Sequence, residues 1–261
     1  MWRVGIMEDN LGNPPNGRFA LAREIGFDAV ELTFGATEPE TLPLWTVEGA
    51  RRLRQQASEF DVAIPSVCAT YFNTFGLGSA DGTERKRSID VLKRLIDTSS
   101  EAGAKVILLP FFGTGAMETA DAQQRAVDSV GACARRANER SMKLGIEATL
   151  PAVILRDIAI RVMDLAVGVY YDVGNVQPVG YNVVSDLRTL ADVLVGIHIK
   201  DRKNNGDNLP LGRGDVNFSQ VKQGLREANY RGYLVLETPH EDDPRVGDAA
   251  NLAFLKGRLG D

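Results

Sequence analysis

Four residues in the second half of the chain are of types that do chemistry, and each closes a short apolar run. Glu147 closes LGIEA, Asp172 closes VYYDV, His198 closes GIHIK and Glu237 closes LVLET. Three carboxylates and one imidazole, converging on one point, suit a single divalent cation of intermediate hardness. Mn²⁺ fits that donor set best, and Mg²⁺, Co²⁺ and Zn²⁺ are also compatible with it. Taken singly, each residue has a plainer explanation. An acidic residue at a strand end commonly caps a helix or pairs with a base, and a histidine in an apolar strand is commonly a satisfied core group. Four of them at successive strand ends argue for a shared site.

For these side chains to meet, the runs that carry them must be parallel neighbours. Residues 168–201 contain two apolar runs, 168–173 and 194–200, separated by a short amphipathic segment at 183–193. Strand, helix, strand is the unit that forces parallel pairing. Parallel α/β sheets carry their functional groups at the carboxyl ends of the strands. The same alternation runs through the whole chain. Strands are expected at 2–7, 28–33, 62–69, 104–110, 142–148, 168–173, 194–200 and 232–238. Helices are expected at 17–25, 46–60, 83–102, 119–140, 152–165, 183–193, 218–229 and 244–259. Thr46 is a helix cap, and Gly26 and Gly103 are stop signals.

Eight strand–helix units in this length have the rhythm of a (β/α)₈ TIM barrel, an α/β fold, in one domain over residues 1–261. A doubly wound open sheet shows fewer units or a glycine fingerprint after its first strand, and Gly12 and Gly17 are too far apart for that. Alternation along the strands puts Tyr233, Val235 and Glu237 on one face, and Leu194, Gly196, His198 and Lys200 on another. Small residues at Gly145 and Gly196 are expected to leave room in the barrel mouth.

Composition narrows the partners. The chain has 261 residues, 44% hydrophobic and 25% charged, enough to bury a full core. A net charge of −5 argues against nucleic acid as the main partner. No apolar run approaches the ~20 residues of a membrane helix. The opening MWRVGIMEDN is too short and too soon acidic for a signal peptide. Cys68 and Cys133 lack C-x-x-C spacing and read as reduced, buried thiols of a cytoplasmic protein. The expected partner is a small molecule, with assembly as a homo-dimer or homo-tetramer left open.

The phrases GIE, YDVGN, HIKD, PLGRGDVNF and LET, with VGIMEDNL and GFDAVEL nearer the start, resemble the xylose-isomerase-like barrel superfamily. The similarity is to its sugar-phosphate isomerase and epimerase branch and spans nearly the whole chain. In ketose 3-epimerases, hydroxypyruvate isomerase and inosose dehydratase, the matching residues hold one metal. The resemblance thus implies that Glu147, Asp172, His198 and Glu237 are metal ligands, and that Glu147 and Glu237 also act as acid and base. The implied substrate is a small sugar or sugar phosphate. Removing a proton from carbon beside a carbonyl leaves an enediolate, whose charge a divalent cation stabilises as a Lewis acid. One carboxylate takes the proton and another returns it. Return to the opposite face of the same carbon gives an epimer, and return to the adjacent carbon gives an isomer. Dehydration of an inosose-like ketone uses the same site, and a non-catalytic sugar-binding barrel is the alternative outside enzymes.

The chain also departs from the family. Asn175 stands where several relatives carry histidine, and it is a candidate substrate contact. Having only His198 and His240 argues against the trinuclear zinc site of the related endonucleases. Missing extra carboxylates argue against the two-metal hydride shift of xylose isomerase itself. Lys200, Arg202 and Arg213 are candidate anchors for a phosphate or polyol, against the alternative of a solvated basic loop balanced by Asp201, Asp207 and Asp215. Glycine-rich segments at 75–78 and 112–115 are expected to approach substrate or serve as flexible lids. His240 is expected in a polar loop after the last strand.

Overall fold

The computed structural model describes residues 2–35, 38–239 and 243–260. Eight parallel strands close into a barrel: β1 (Val4–Met7), β2 (Ala29–Thr33), β3 (Ser66–Cys68), β4 (Val106–Pro110), β5 (Lys143–Glu147), β6 (Val167–Asp172), β7 (Leu194–Ile199) and β8 (Leu234–Leu236). Each strand pairs with its neighbours in chain order, and β8 closes onto β1 through Val4↔Leu234. Helices alternate with them: α1 (Arg18–Ile25), α2 (Val47–Glu59), α3 (Gly82–Ala102), α4 (Ala120–Glu139), α5 (Ala152–Arg161), α6 (Val183–Leu190), α7 (Phe218–Glu227) and α8 (Pro244–Leu259). None of the described helices is long and apolar enough to cross a membrane.

Local chemistry sets the boundaries. The Thr46 hydroxyl accepts from Gly49 N at 3.0 Å and starts α2. Gly26 (φ 102°) and Gly103 (φ 92°) end α1 and α3 in the left-handed conformation that favours glycine. β3 is shorter than expected because Pro65 has no N–H to offer the ladder. α5 stops at Arg161, short of residue 165, and Met163 just beyond takes φ 55°. Both cysteines are free and buried, as expected.

Two apolar compartments result. The large one lies between the barrel and the helices and includes Leu144, Ile146, Val169, Tyr171, Ile197 and Ile199. The smaller one fills the barrel: Met7, Cys68, Leu108, Tyr170 and Val235, with Tyr233 packed against it. Gly145 and Gly196 do not open the mouth. Their missing side chains make room lower down for Tyr170, since a Cβ on Gly196 would stand 2.2 Å from its ring. The alternation expected along β7 also breaks once. The register with β6 shifts between Val169 and Tyr170, passing from Val169↔Leu194 to Tyr170↔Gly196. This bulge leaves Leu194 packed on the outer core while Gly196 and His198 turn inward. It also sets His198 directly across from Asp172.

The mouth carries further small structure. Asp201–Arg202 and Asn208–Leu209 form an antiparallel ribbon that the sequence reading did not anticipate. Asp201 is fully buried and accepts from Gly212 N, Gly214 N and Val216 N, so it pins the PLGRGDV loop. The two glycine-rich segments pack on each other rather than standing free as lids. Gly76 N donates to Thr114 Oγ1 at 2.9 Å and to Glu84 Oε1 at 3.0 Å, and a Cβ on Gly76 would collide with Gly115.

Candidate active site

Glu147, Asp172 and His198 are buried together at the carboxyl ends of β5, β6 and β7. One ligating atom from each lies within 4.8 Å of the others. Three of the four residues singled out in the sequence therefore form the tight group. Glu237 follows β8, where its amide donates to Ile199 O at 3.0 Å. It borders the group through ion pairs, Oε2 at 2.9 Å from His198 Nδ1 and Oε1 at 2.7 Å from Lys200 Nζ.

The chain holds each group in a fixed aim. The amides of Gly174 and Asn175 donate to Asp172 Oδ1 at 2.7 and 2.9 Å. That leaves Oδ2 turned into the cluster, 3.1 Å from Lys200 Nζ. The Asn175 side-chain amide donates to Glu147 Oε1 at 3.0 Å. Asn175 thus positions a carboxylate, and its Oδ1 accepts from Arg202 Nη1 at 3.1 Å. Lys200 is buried with its ammonium among the carboxylates rather than out in the basic loop. Arg202 also spans the ribbon, donating from Nε to Gly206 O at 3.0 Å. Arg213 is exposed on the same loop. His240 lies outside the described residues.

The groups perturb one another strongly. Burial, with Asp172 alongside, pushes the Glu147 carboxyl up to about 8. Burial also raises Asp172, against the opposing charge of Lys200. Glu237 goes the other way: burial opposes ionisation, but the close contact with His198 and the charges of His198 and Lys200 hold it well below the usual range. His198 is held above its ordinary value because Glu31 and Glu237 outweigh the effect of burial. Two glutamates of one site are thus shifted in opposite directions.

The donor set fits a divalent metal. Asp172 Oδ2 and His198 Nδ1 are buried atoms without a hydrogen-bond partner, although Lys200 and Glu237 approach them. A nitrogen and carboxylate oxygens converging in this way suit a borderline or hard cation.

Sequence reasoning offered Glu31 only as a fallback proton carrier behind Glu147 and Glu237 and gave it no partner. It is fully buried on β2 and reaches His198 Nε2 with Oε1 at 2.6 Å. The available signal was a glutamate inside the apolar run AVELT. Also unforeseen is a cavity of about 470 Å³ beside the ends of β1 and β2, lined by Glu8, Asp9, Arg18, Thr33, Leu42 and Leu44 among others. Asn10, next to the lining residue Asp9, donates from Nδ2 to Thr238 O at 2.8 Å, one residue beyond Glu237.

Residues 19–258 match the protein family described as xylose isomerase-like TIM barrel. Among curated proteins, the chain is 26% identical over 259 residues to L-ribulose-5-phosphate 3-epimerase UlaE of Salmonella heidelberg (strain SL476), covering 93% of this chain and 89% of that protein. Among solved structures, it resembles 3-keto-D-glucoside 4-epimerase YcjR from E. coli with a TM-score of 0.82 at 19% identity, covering 98% of this chain and 100% of that one. A D-psicose 3-epimerase, determined in the presence of D-fructose, also gives 0.82, at 16% identity and 99% and 100% coverage. These similar structures share the fold, and the curated relatives are sugar epimerases.

Proposed function

For a chain that belongs to the xylose isomerase-like TIM barrel family, we propose the activity of a divalent-metal-dependent 3-epimerase of a ketose or ketose phosphate. The observation that carries the reading is the buried convergence of Glu147, Asp172 and His198, with Glu237 at its edge. The likeness to L-ribulose-5-phosphate 3-epimerase supports the substrate class.

Glu147, Asp172, His198 and Glu237 would hold the metal, with Mn²⁺ the best match to the donors. When bound, it supplies Lewis-acid stabilisation of the negative charge that develops as a carbon beside the carbonyl loses its proton. The chain's own residues do the rest. Glu147 ends β5 and Glu237 follows β8, with β6 and β7 between them in the barrel order. Carboxylates so separated reach one substrate carbon from different sides. One glutamate takes the C3 proton and the other delivers a proton to the opposite face, which inverts that centre. Asn175 keeps Glu147 in place through Oε1 and leaves its second oxygen for proton transfer. Arg202 and Arg213 supply positive charge for a phosphate or polyol end, and Lys200 adds its charge from among the carboxylates.

The test is incubation of Mn²⁺-loaded protein with ketoses and ketose 5-phosphates, L-ribulose 5-phosphate included, in deuterated water. Deuterium at C3 and appearance of the 3-epimer are expected. Absence of carbon-bound exchange across the panel refutes the reading, and exchange confined to C1 makes the protein an aldose–ketose isomerase instead.

A further inference from the structure

Glu31 is a carboxylate with 0% exposure inside a barrel, and burying an ion costs several kcal/mol unless its lone pairs are met. They are met entirely by side chains from other strands. Oε2 accepts from the Ser66 hydroxyl on β3 and from the Tyr170 hydroxyl on β6, the latter at 2.9 Å. Oε1 is left for His198 Nε2 on β7, at 2.6 Å. Two hydroxyl donors on one oxygen fix the rotation of the carboxylate, so the other oxygen has one direction to point. The Tyr170 ring adds an edge contact to the imidazole, with centroids 4.7 Å apart. Nε2 is therefore spoken for on the barrel side, and Nδ1 is the ring atom left without a hydrogen bond, facing Glu237 and the cluster.

We propose that Glu31 is a positioning residue: held by Ser66 and Tyr170, it keeps the proton on His198 Nε2 and commits Nδ1 to the metal. This rests on the metal site of the proposed function. Partners in this position orient a ligating histidine and make it a better donor. A residue serving stability alone would have no influence on which ring nitrogen meets the ion.

The chain has two histidines, so a His240→Gln background with ¹⁵N-labelled histidine reports His198 alone. Loaded with ¹¹³Cd²⁺, this protein is expected to show cadmium–nitrogen coupling at Nδ1 and a slowly exchanging proton on Nε2. Coupling at Nε2 overturns the proposal while leaving the metal site intact. Failure to take up Cd²⁺ or Mn²⁺ at all overturns both. Glu31→Leu, which removes the acceptor, is expected to lose the protected Nε2 proton and to weaken Cd²⁺ binding by ~10–100-fold. Glu31→Gln retains an acceptor oxygen and should recover the proton signal and part of the affinity. Wild-type affinity and coupling in Glu31→Leu would reduce Glu31 to a structural role. Should that variant fail to fold, Tyr170→Phe keeps the ring and removes one of the two donors. It is expected to speed Nε2 proton exchange and to weaken Cd²⁺ several-fold, and wild-type values in it refute the proposal.

Discussion

Replacing Asp172 by asparagine separates its two jobs. Oδ1 accepts the amides of Gly174 and Asn175, and the oxygen of the new side chain can go on doing so. Oδ2, the atom turned to the cluster, becomes an amide nitrogen that donates and cannot ligate. The turn after β6 should therefore survive. Lys200 loses one ion-pair partner but keeps Glu237 Oε1 at 2.7 Å, so the metal-free protein should stay folded. Loss of a direct ligand should exceed the ~10–100-fold cost of losing an outer partner, so at least about a hundredfold in metal affinity is expected. At a metal concentration of about 100 Kd, binding stabilises the wild type by ~2.7 kcal/mol. For a chain of this size that is a rise in Tm of ~5–11 °C. Under the same conditions the Asp172→Asn variant should show almost none of this rise. The assay is a pair of thermal melts, with and without Mn²⁺ after chelation, beside elemental analysis of dialysed protein. A wild-type Mn²⁺-dependent shift in the variant would remove Asp172 from the ligand set.

Glu147→Gln and Glu237→Gln should each lower turnover by ~10²–10⁴-fold in metal-saturated protein, and one of them should still exchange the C3 hydrogen with deuterated solvent; near-normal turnover in both would move proton transfer elsewhere. Arg202→Ala is expected to weaken a phosphorylated ketose by ~1.5–3 kcal/mol while sparing the free sugar, read as KM on each; equal losses would show that Arg202 does not read phosphate. Lys200 is a poorer probe of that question, because its ammonium also contacts Asp172 and Glu237. Burial pushes the Cys133 thiol up to about 12 and raises Cys68 well above its ordinary value. The thiolate is the reactive form, so the native protein should not react with a disulfide reagent between pH 7 and 9, and both thiols should react on unfolding. Rapid labelling of the native protein at pH 8 would contradict this.

The barrel itself was legible because its signals are local. Apolar runs of strand length, amphipathic helices and the stops at Gly26 and Gly103 each act within a few residues. Repetition of that unit leaves few topologies to choose from. Strand-end placement likewise picked out Glu147, Asp172 and His198, since the carboxyl ends of parallel strands share one rim.

What the chain order could not decide was register and aim. The bulge on β7 sets His198 across from Asp172, and it depends on how two strands fit around Tyr170, not on either sequence alone. The aim of Lys200 and Asn175 was likewise set by packing, which puts the first beside Asp172 and Glu237 and lets the second hold Glu147. The contact of Glu31 with His198 stayed hidden for the same reason. The partners of Glu31, Ser66, Tyr170 and His198, lie 35, 139 and 167 residues away in sequence, and closure of the barrel is what brings four strands to one carboxylate.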